Sequence, residues 1–226
     1  MVRSILTAIE ARGWGGQISA GIDIFLPNPH WEFGFELGLV RNLYRYEHQQ
    51  ETFVSGSASP FAQLDFSENQ NWGTASFLVR YNFLSKKKVQ ENPRFSYPYL
   101  LLGPQFQFLL SSEIDDITRR TFDGGQEVAS PVSGLTQKNL RDLRQGYNGA
   151  LIVALGYNLK VRRHDFFVEA RLAAGLTNIV RTDNRYANEV LVYKYGYVDP
   201  DLFLNLAMIN IGYRFSFYQI QSADNS

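Results

Sequence analysis

Cysteine is absent from all 226 residues, so disulfides, thiolate nucleophiles and cysteine metal sites are excluded. Histidine is scarce. His30, His48 and His164 are the whole set, and their scatter along the chain offers no zinc-ligand spacing. No apolar run reaches the length of a membrane helix. The stretch 5–9 after Arg3 is stopped by Glu10, too early for the apolar core of a secretory signal. Neither charge sign is in excess, with 22 Lys and Arg against 22 Asp and Glu, so nothing points to nucleic acid. No Ser-His-Asp spacing is present. Gly124 and Gly125 mark a turn, with no following lysine to make a phosphate loop. No catalytic, cofactor-binding or metal residue is assigned.

What remains is apolar and aromatic. Hydrophobic residues make up 45% and aromatic ones 15%, yet mean hydropathy is only -0.23. A barrel whose strands bare every second residue to lipid has that profile. The clearest signal lies at residues 146–177. Tyr147, Gly149, Leu151, Val153, Leu155, Tyr157 and Leu159 fall at every second position, with Asn148, Ala150, Ile152, Ala154, Gly156 and Asn158 between them. After a turn at Arg162, Arg163, His164 and Asp165, a second run follows. Phe166, Val168, Ala170, Leu172, Ala174 and Leu176 alternate with Phe167, Glu169, Arg171, Ala173, Gly175 and Thr177. Period two marks strands with two unlike faces. Each run attains the roughly 9–11 residues that a tilted strand uses to cross a bilayer.

The same alternation predicts strands at 17–26, 31–45, 74–83, 95–112 and 203–217. Pro104 lies on an apolar face and cannot donate to a ladder, so an irregularity is expected there. Connections alternate in length: short at 27–30, long at 46–71, short at 84–94, longest at 113–144, short at 162–165, long at 179–200. A short helix fits 137–144, and 190–197 is able to extend the flanking strands. Short turns on one side and long loops on the other are the asymmetry of outer-membrane barrels, and place the basic turn residues Lys86, Lys87, Lys88, Arg162 and Arg163 in the periplasm.

The fold class expected is therefore an all-β, antiparallel up-and-down transmembrane β-barrel, as one domain over 1–218 with a periplasmic tail at 219–226. Seven strands are visible, whereas single-chain bacterial barrels have an even number. The eighth, an outward-running first strand, is expected to be missing from this sequence or to lie within 1–16. Inward positions carry Asp23, Glu32, Glu36, Arg80, Glu169, Arg171 and Arg214. Signs nearly balance, and an eight-stranded interior is just wide enough for side chains, so these are expected to pair as a polar network filling the lumen. The functional counterpart is a proton or ion path, or an acid–base site.

Three pieces carry a resemblance: Tyr97-Pro98-Tyr99-Leu100-Leu101-Leu102-Gly103-Pro104, the run 167–179 ending in Gly175-Leu176-Thr177-Asn178-Ile179, and the closing Gly212-Tyr213-Arg214-Phe215. With the strand arrangement over nearly all of 17–217, the chain resembles the PorT-like outer-membrane β-barrel family of Bacteroidetes. The resemblance implies an eight-stranded barrel in the outer membrane. It implies no catalytic residues, and the family namesake's part in secretion and gliding is not carried over. The expected role is structural or interactive: a subunit of an envelope complex, or a surface-loop binding protein. Expected partners are outer-membrane lipid, lipopolysaccharide and envelope protein subunits; no cofactor and no enzymatic activity are expected. Two other classes stay open. One is a lipid-modifying or hydrolytic enzyme at the outer rim, where His48 is the only histidine. The other is a soluble lipocalin-like barrel, which needs the apolar faces turned inward.

Overall fold

The structure is a computed structural model that describes residues 12–26, 28, 30–51, 61–84, 94–123, 126–131, 139–161, 164–187 and 201–215. It is all-β among these residues, apart from single 3-10 turns at Arg141–Leu143 and Thr182–Asn184. In chain order the strands are β1 (Arg12–Phe25), β2 (Trp31–Glu51), β3 (Phe61–Asn82), β4 (Arg94–Asp123), β5 (Gln126–Pro131), β6 (Tyr147–Val161), β7 (His164–Gly175) and β8 (Leu206–Phe215). Seven of them lie side by side as β1-β2-β3-β4-β6-β7-β8, every neighbour antiparallel, while β5 pairs only with β4. The sheet curls until β7 meets β2 across its hollow, through Arg171 and Glu36 at 2.8 Å. The result, among the described residues, is an antiparallel up-and-down barrel open along one side. The short connections mark what is called here its lower end.

Alternation gives this sheet its two faces. On β6 the odd residues Leu151, Val153, Leu155, Tyr157 and Leu159 are exposed on the convex face, while Ala150, Ile152, Ala154 and Asn158 are buried on the concave one. On β7 Phe166, Val168 and Leu172 are exposed and Glu169, Arg171 and Ala173 buried. The same inversion runs through β2, β3 and β4. A lipocalin-like barrel requires the opposite facing. A concave apolar cluster of Leu78, Tyr99, Leu101, Ile152, Ala154 and Ala173 packs midway, and a second of Val40, Trp72, Leu109, Ile179 and Leu204 lies above it.

The strands outrun the sequence reading at their upper ends. β2 continues to Glu51 and β3 already starts at Phe61, where a loop over 46–71 was expected. β4 runs on to Asp123 and pairs β5, within the expected loop 113–144. β1 begins at Arg12, so Gly13 to Gly16 belong to it. In these extensions Phe66, Ile114 and Ile117 are buried on the concave side among polar neighbours, too few and too unevenly spaced for an apolar alternation to be read. The expected strand or loop before Arg12, the lysines at 86–88, Arg162, Arg163, Gly124, Gly125, the 190–197 stretch and the tail lie outside the described residues.

Opposite Pro104 the β3–β4 ladder lapses between Ser76–Gln105 and Val79–Leu102 without changing register, the irregularity expected of it. Two further defects had no sequence signal. The register shifts between Asn71 and Trp72, which face Ser111 and Leu109, and between Ser67 and Glu68, which face Asp116 and Ile114. Leu110 and Asp115 are thus the extra residues of two β-bulges, which bend β4.

β1 and β8 both run toward the lower end and form no ladder with each other. A cleft of about 430 Å³ separates them, lined by Ser19, Gly21 and Asp23 on one side and Asn210, Gly212 and Arg214 on the other. Closing it directly would require the sheet's single parallel pair. An outward-running strand would instead be antiparallel to both edges. The expected result is that cysteines at Ile22 and Ile211 fail to join under mild oxidation, whereas the laddered pair Ile22 and Phe35 joins readily. Efficient joining of Ile22 to Ile211 would show that the edges close directly.

Candidate functional site

All seven inward charges expected from the sequence face the hollow, in two groups. In the lower group, Arg80 donates to Glu32 at 2.8 Å and to Asp23 at 3.3 Å, and Arg214 donates to Asp23 at 3.0 Å and to Glu32 at 3.4 Å. Asn82 donates to the other oxygen of Glu32 at 2.7 Å, and Asn158 accepts from Arg214 at 2.8 Å. The Arg80 guanidinium also lies 4.7 Å from the centre of the Tyr99 ring, and that of Arg214 lies 5.1 Å from Phe167. In the middle group, Arg171 donates to Glu169 at 2.7 Å and reaches Glu36 with both terminal nitrogens at 2.8 and 3.1 Å. Tyr99 and Asn210 donate to Glu169 as well, at 3.0 and 3.2 Å.

Strand register explains the grouping. Glu32 faces Arg80 across β2–β3, and Glu169 faces Asn210 across β7–β8, so each carboxylate has a polar group one strand away. Arg171 and Arg214 are long enough to span the hollow. Burying an unpaired charge costs several kcal/mol, and here every one of the seven has an opposite charge within 3.4 Å. The arrangement neutralises and braces the interior; each of its carboxylates is tied to a guanidinium rather than to a histidine or a nucleophile.

Above these groups runs a neutral chain that sequence reasoning missed. Gln105 donates to Ser76 at 3.1 Å, Gln107 to Gln105 at 2.7 Å, Asn148 to Gln107 at 2.7 Å, and Thr177 to Asn148 at 2.5 Å. Higher still, at the upper mouth, sits a second missed feature. Glu68 takes hydrogen bonds from Gln70 and Ser112 at 2.6 Å each and from Arg144 at 2.9 and 2.6 Å. The Glu68 and Arg144 side chains are 1% and 0% exposed. Burial acts to raise the Glu68 carboxyl, but the Arg144 charge and the donated hydrogen bonds outweigh it and hold the group below its usual range.

Arg144 ends the segment that covers the mouth. Leu140 donates to the Ser112 carbonyl, Gln145 to Ile179, Arg181 to Leu143, and Ile179 to Leu202, so three loop segments interlock over the hollow. Leu140, Leu143, Ile179, Val180 and Leu204 are buried beneath them. The Glu68–Arg144 pair anchors this cap to β3.

No family model, curated protein or solved structure matches this chain.

His30 and His164 lie at the lower end of the sheet. His30 bonds the Asn82 carbonyl at 2.9 Å and stacks on Tyr81, while His164 meets the Tyr213 hydroxyl at 2.6 Å and stacks on that ring. Both belong to an aromatic lower rim with Trp31, Phe83 and Phe166. His48 lies within β2, not past its end.

Proposed function

We propose that this protein is an integral outer-membrane β-barrel with a structural or interactive role in the cell envelope, its interior filled rather than conducting. The observation that carries the reading is the inversion of polarity: ion pairs on the concave face, and a belt of exposed Ile, Leu, Val and Phe on the convex one. Large contiguous apolar patches are uncommon on water-soluble monomers. Along β6 the belt extends from Tyr147 to Leu159, roughly 40 Å of strand at about 3.3 Å per residue, or about 28 Å of height once tilted by about 45°. That height suits the hydrocarbon layer, and the aromatic rim suits its boundary. The resemblance to PorT-like barrels points the same way. Recognition of an envelope partner falls to the upper end, where the strand extensions and the cap stand above the apolar belt.

Purified protein is expected to need detergent throughout and to enter lipid vesicles as folded β-sheet. Remaining monodisperse in plain buffer would reject the membrane reading. In planar bilayers no steady, reproducible conductance is expected, because guanidinium bridges and the interlocked cap occupy the passage. Porin-like steps would reject the filled interior while leaving the membrane reading intact.

A further inference from the structure

Along the top of the apolar belt, the ladders of β1 to β4 align two rows on the convex face. The lower row is apolar: Ile18 lies opposite Leu39, Leu39 opposite Gly73, and Gly73 opposite Phe108. Two residues further up, Gly16, Arg41, Asn71 and Ser111 lie opposite one another in the same way. The bulge at Leu110 completes the polar side of this second row. It shifts the facing of β4 by one residue, so Ser111 turns outward, where the Asn71 amide donates to its hydroxyl at 2.8 Å. The second bulge leaves Asp115 exposed beyond it. Between the rows lies a cleft of about 890 Å³, walled by Ile18, Leu39 and Leu110 below and by Arg41, Asn71 and Asp115 above. Gly16 keeps one end bare, and a Cβ added there would meet nothing within 4 Å.

We propose that this shelf binds lipopolysaccharide through its lipid A, the phosphorylated glucosamine disaccharide that carries the acyl chains. The inference rests on the membrane reading, which sets this level at the boundary of the outer leaflet, where lipopolysaccharide is the lipid. The Arg41 side chain is exposed and held by its Nε donating to Asn69 at 3.2 Å, which keeps both terminal nitrogens for the two-pronged grip of a phosphate. Beside it, Asn71, Ser111 and Asp115 offer an amide, a hydroxyl and a carboxylate to the sugar, whose hydroxyls a carboxylate accepts. Below, the apolar row crosses three strand spacings, roughly 14 Å at about 4.8 Å each, wide enough for several acyl chains abreast. A cation and hydroxyl-binding groups thus share one level directly above a wall for several chains, as phosphate and sugar share one level above the chains of lipid A.

The test offers the detergent-solubilised full chain an equimolar mixture of deep-rough lipopolysaccharide, the same molecule stripped of its phosphates, and phosphatidylglycerol. Lipid retained after delipidation is counted by native mass spectrometry. Intact lipopolysaccharide is expected to be retained several-fold over the other two, since one of them lacks the phosphate and the other the sugar. Arg41→Gln is expected to bring the intact form down to the level of the stripped form and to leave the stripped form's own retention unchanged. Asn71→Leu combined with Ser111→Ala is expected to lower both. Gly16→Trp, which narrows the cleft and leaves every polar group, is expected to lower retention of all three. Resistance to unfolding in detergent identifies the folded variants, and the comparison of intact with stripped lipid on the unaltered protein stands whether or not a variant folds. Equal retention of the intact and stripped forms, preference for phosphatidylglycerol, or a folded Arg41→Gln variant that keeps the original preference would overturn the proposal. A protein that enters vesicles yet shows no preference among the three defeats this inference alone, whereas one that is soluble without detergent defeats the membrane reading beneath it.

Discussion

Val153→Arg is expected to destabilise the protein in lipid by about 2–4 kcal/mol, the cost of a cation at the midplane of a barrel's outer face. Val153 stands at the middle of β6, 41% exposed on the convex side and opposite Leu102 and Leu172 on its two neighbours. Its neighbour Ala154 is 2% exposed on the concave side, packed with Leu101 and Ile152 and opposite Arg171. Ala154→Ser adds one hydroxyl beside groups that already hydrogen-bond, so at most about 1 kcal/mol is expected. Reversible unfolding in urea from lipid vesicles measures both. Equal costs would mean that the convex face does not meet hydrocarbon. The comparison is sharper than either variant alone, because the two sites share one strand and one depth and differ only in facing.

Glu68→Gln is expected to cost about 3–5 kcal/mol, because it leaves the Arg144 guanidinium buried without its counter-charge. The cap should loosen first. Amide exchange at Leu140, Arg144 and Arg181 is expected to rise well before exchange in β6 and β7, since those cap hydrogen bonds depend on Arg144 staying seated. Replacing both partners, Glu68→Met with Arg144→Met, should recover much of the loss, as a buried pair exchanged for apolar side chains of similar volume often does. The sign with pH follows from the depressed carboxyl. Its contribution is present in full above the ordinary value of 4.5 and is lost as pH falls through the lower folded value. Cap protection is thus expected to hold at neutral pH and to fail only in acid below 4.5, and Glu68→Gln should remove that acid step. Unchanged exchange in Glu68→Gln would show that the pair does not anchor the cap.

Legibility in the sequence followed the apolar alternation. Residues 147–159 and 166–176 showed their two faces at sight, and Glu169 and Arg171 followed from them, as the other five inward charges followed from the same alternation in their own strands, because a residue between two exposed apolar ones has one direction left. Partner choice within the network was beyond that reasoning. Arg171 reaches Glu36 from four strands away around the sheet, and only curvature brings them together. Glu68 and Arg144 were hidden for a different reason. They lie in polar stretches, among Gln70, Ser112 and Asn139, where inward and outward residues look alike. The bulges at Leu110 and Asp115 left a trace only in the burial pattern, where the strict alternation of β4 slips after each of them.

The order of the strands around the sheet is also their order along the chain, with β5 the sole branch. Each ladder therefore closes a local loop, and loop-closure entropy grows only slowly with such short separations. Folding is expected to proceed by accretion, each hairpin laid against the last, with a contact order low for an all-β chain. The exception is the meeting of the first strand with the last. Arg214 and Asp23 are 191 residues apart in sequence and join at 3.0 Å through side chains alone. The step that brings the two ends into register thus carries most of the long-range entropic cost. It is guided there by charge, since among the described residues no backbone ladder spans that side.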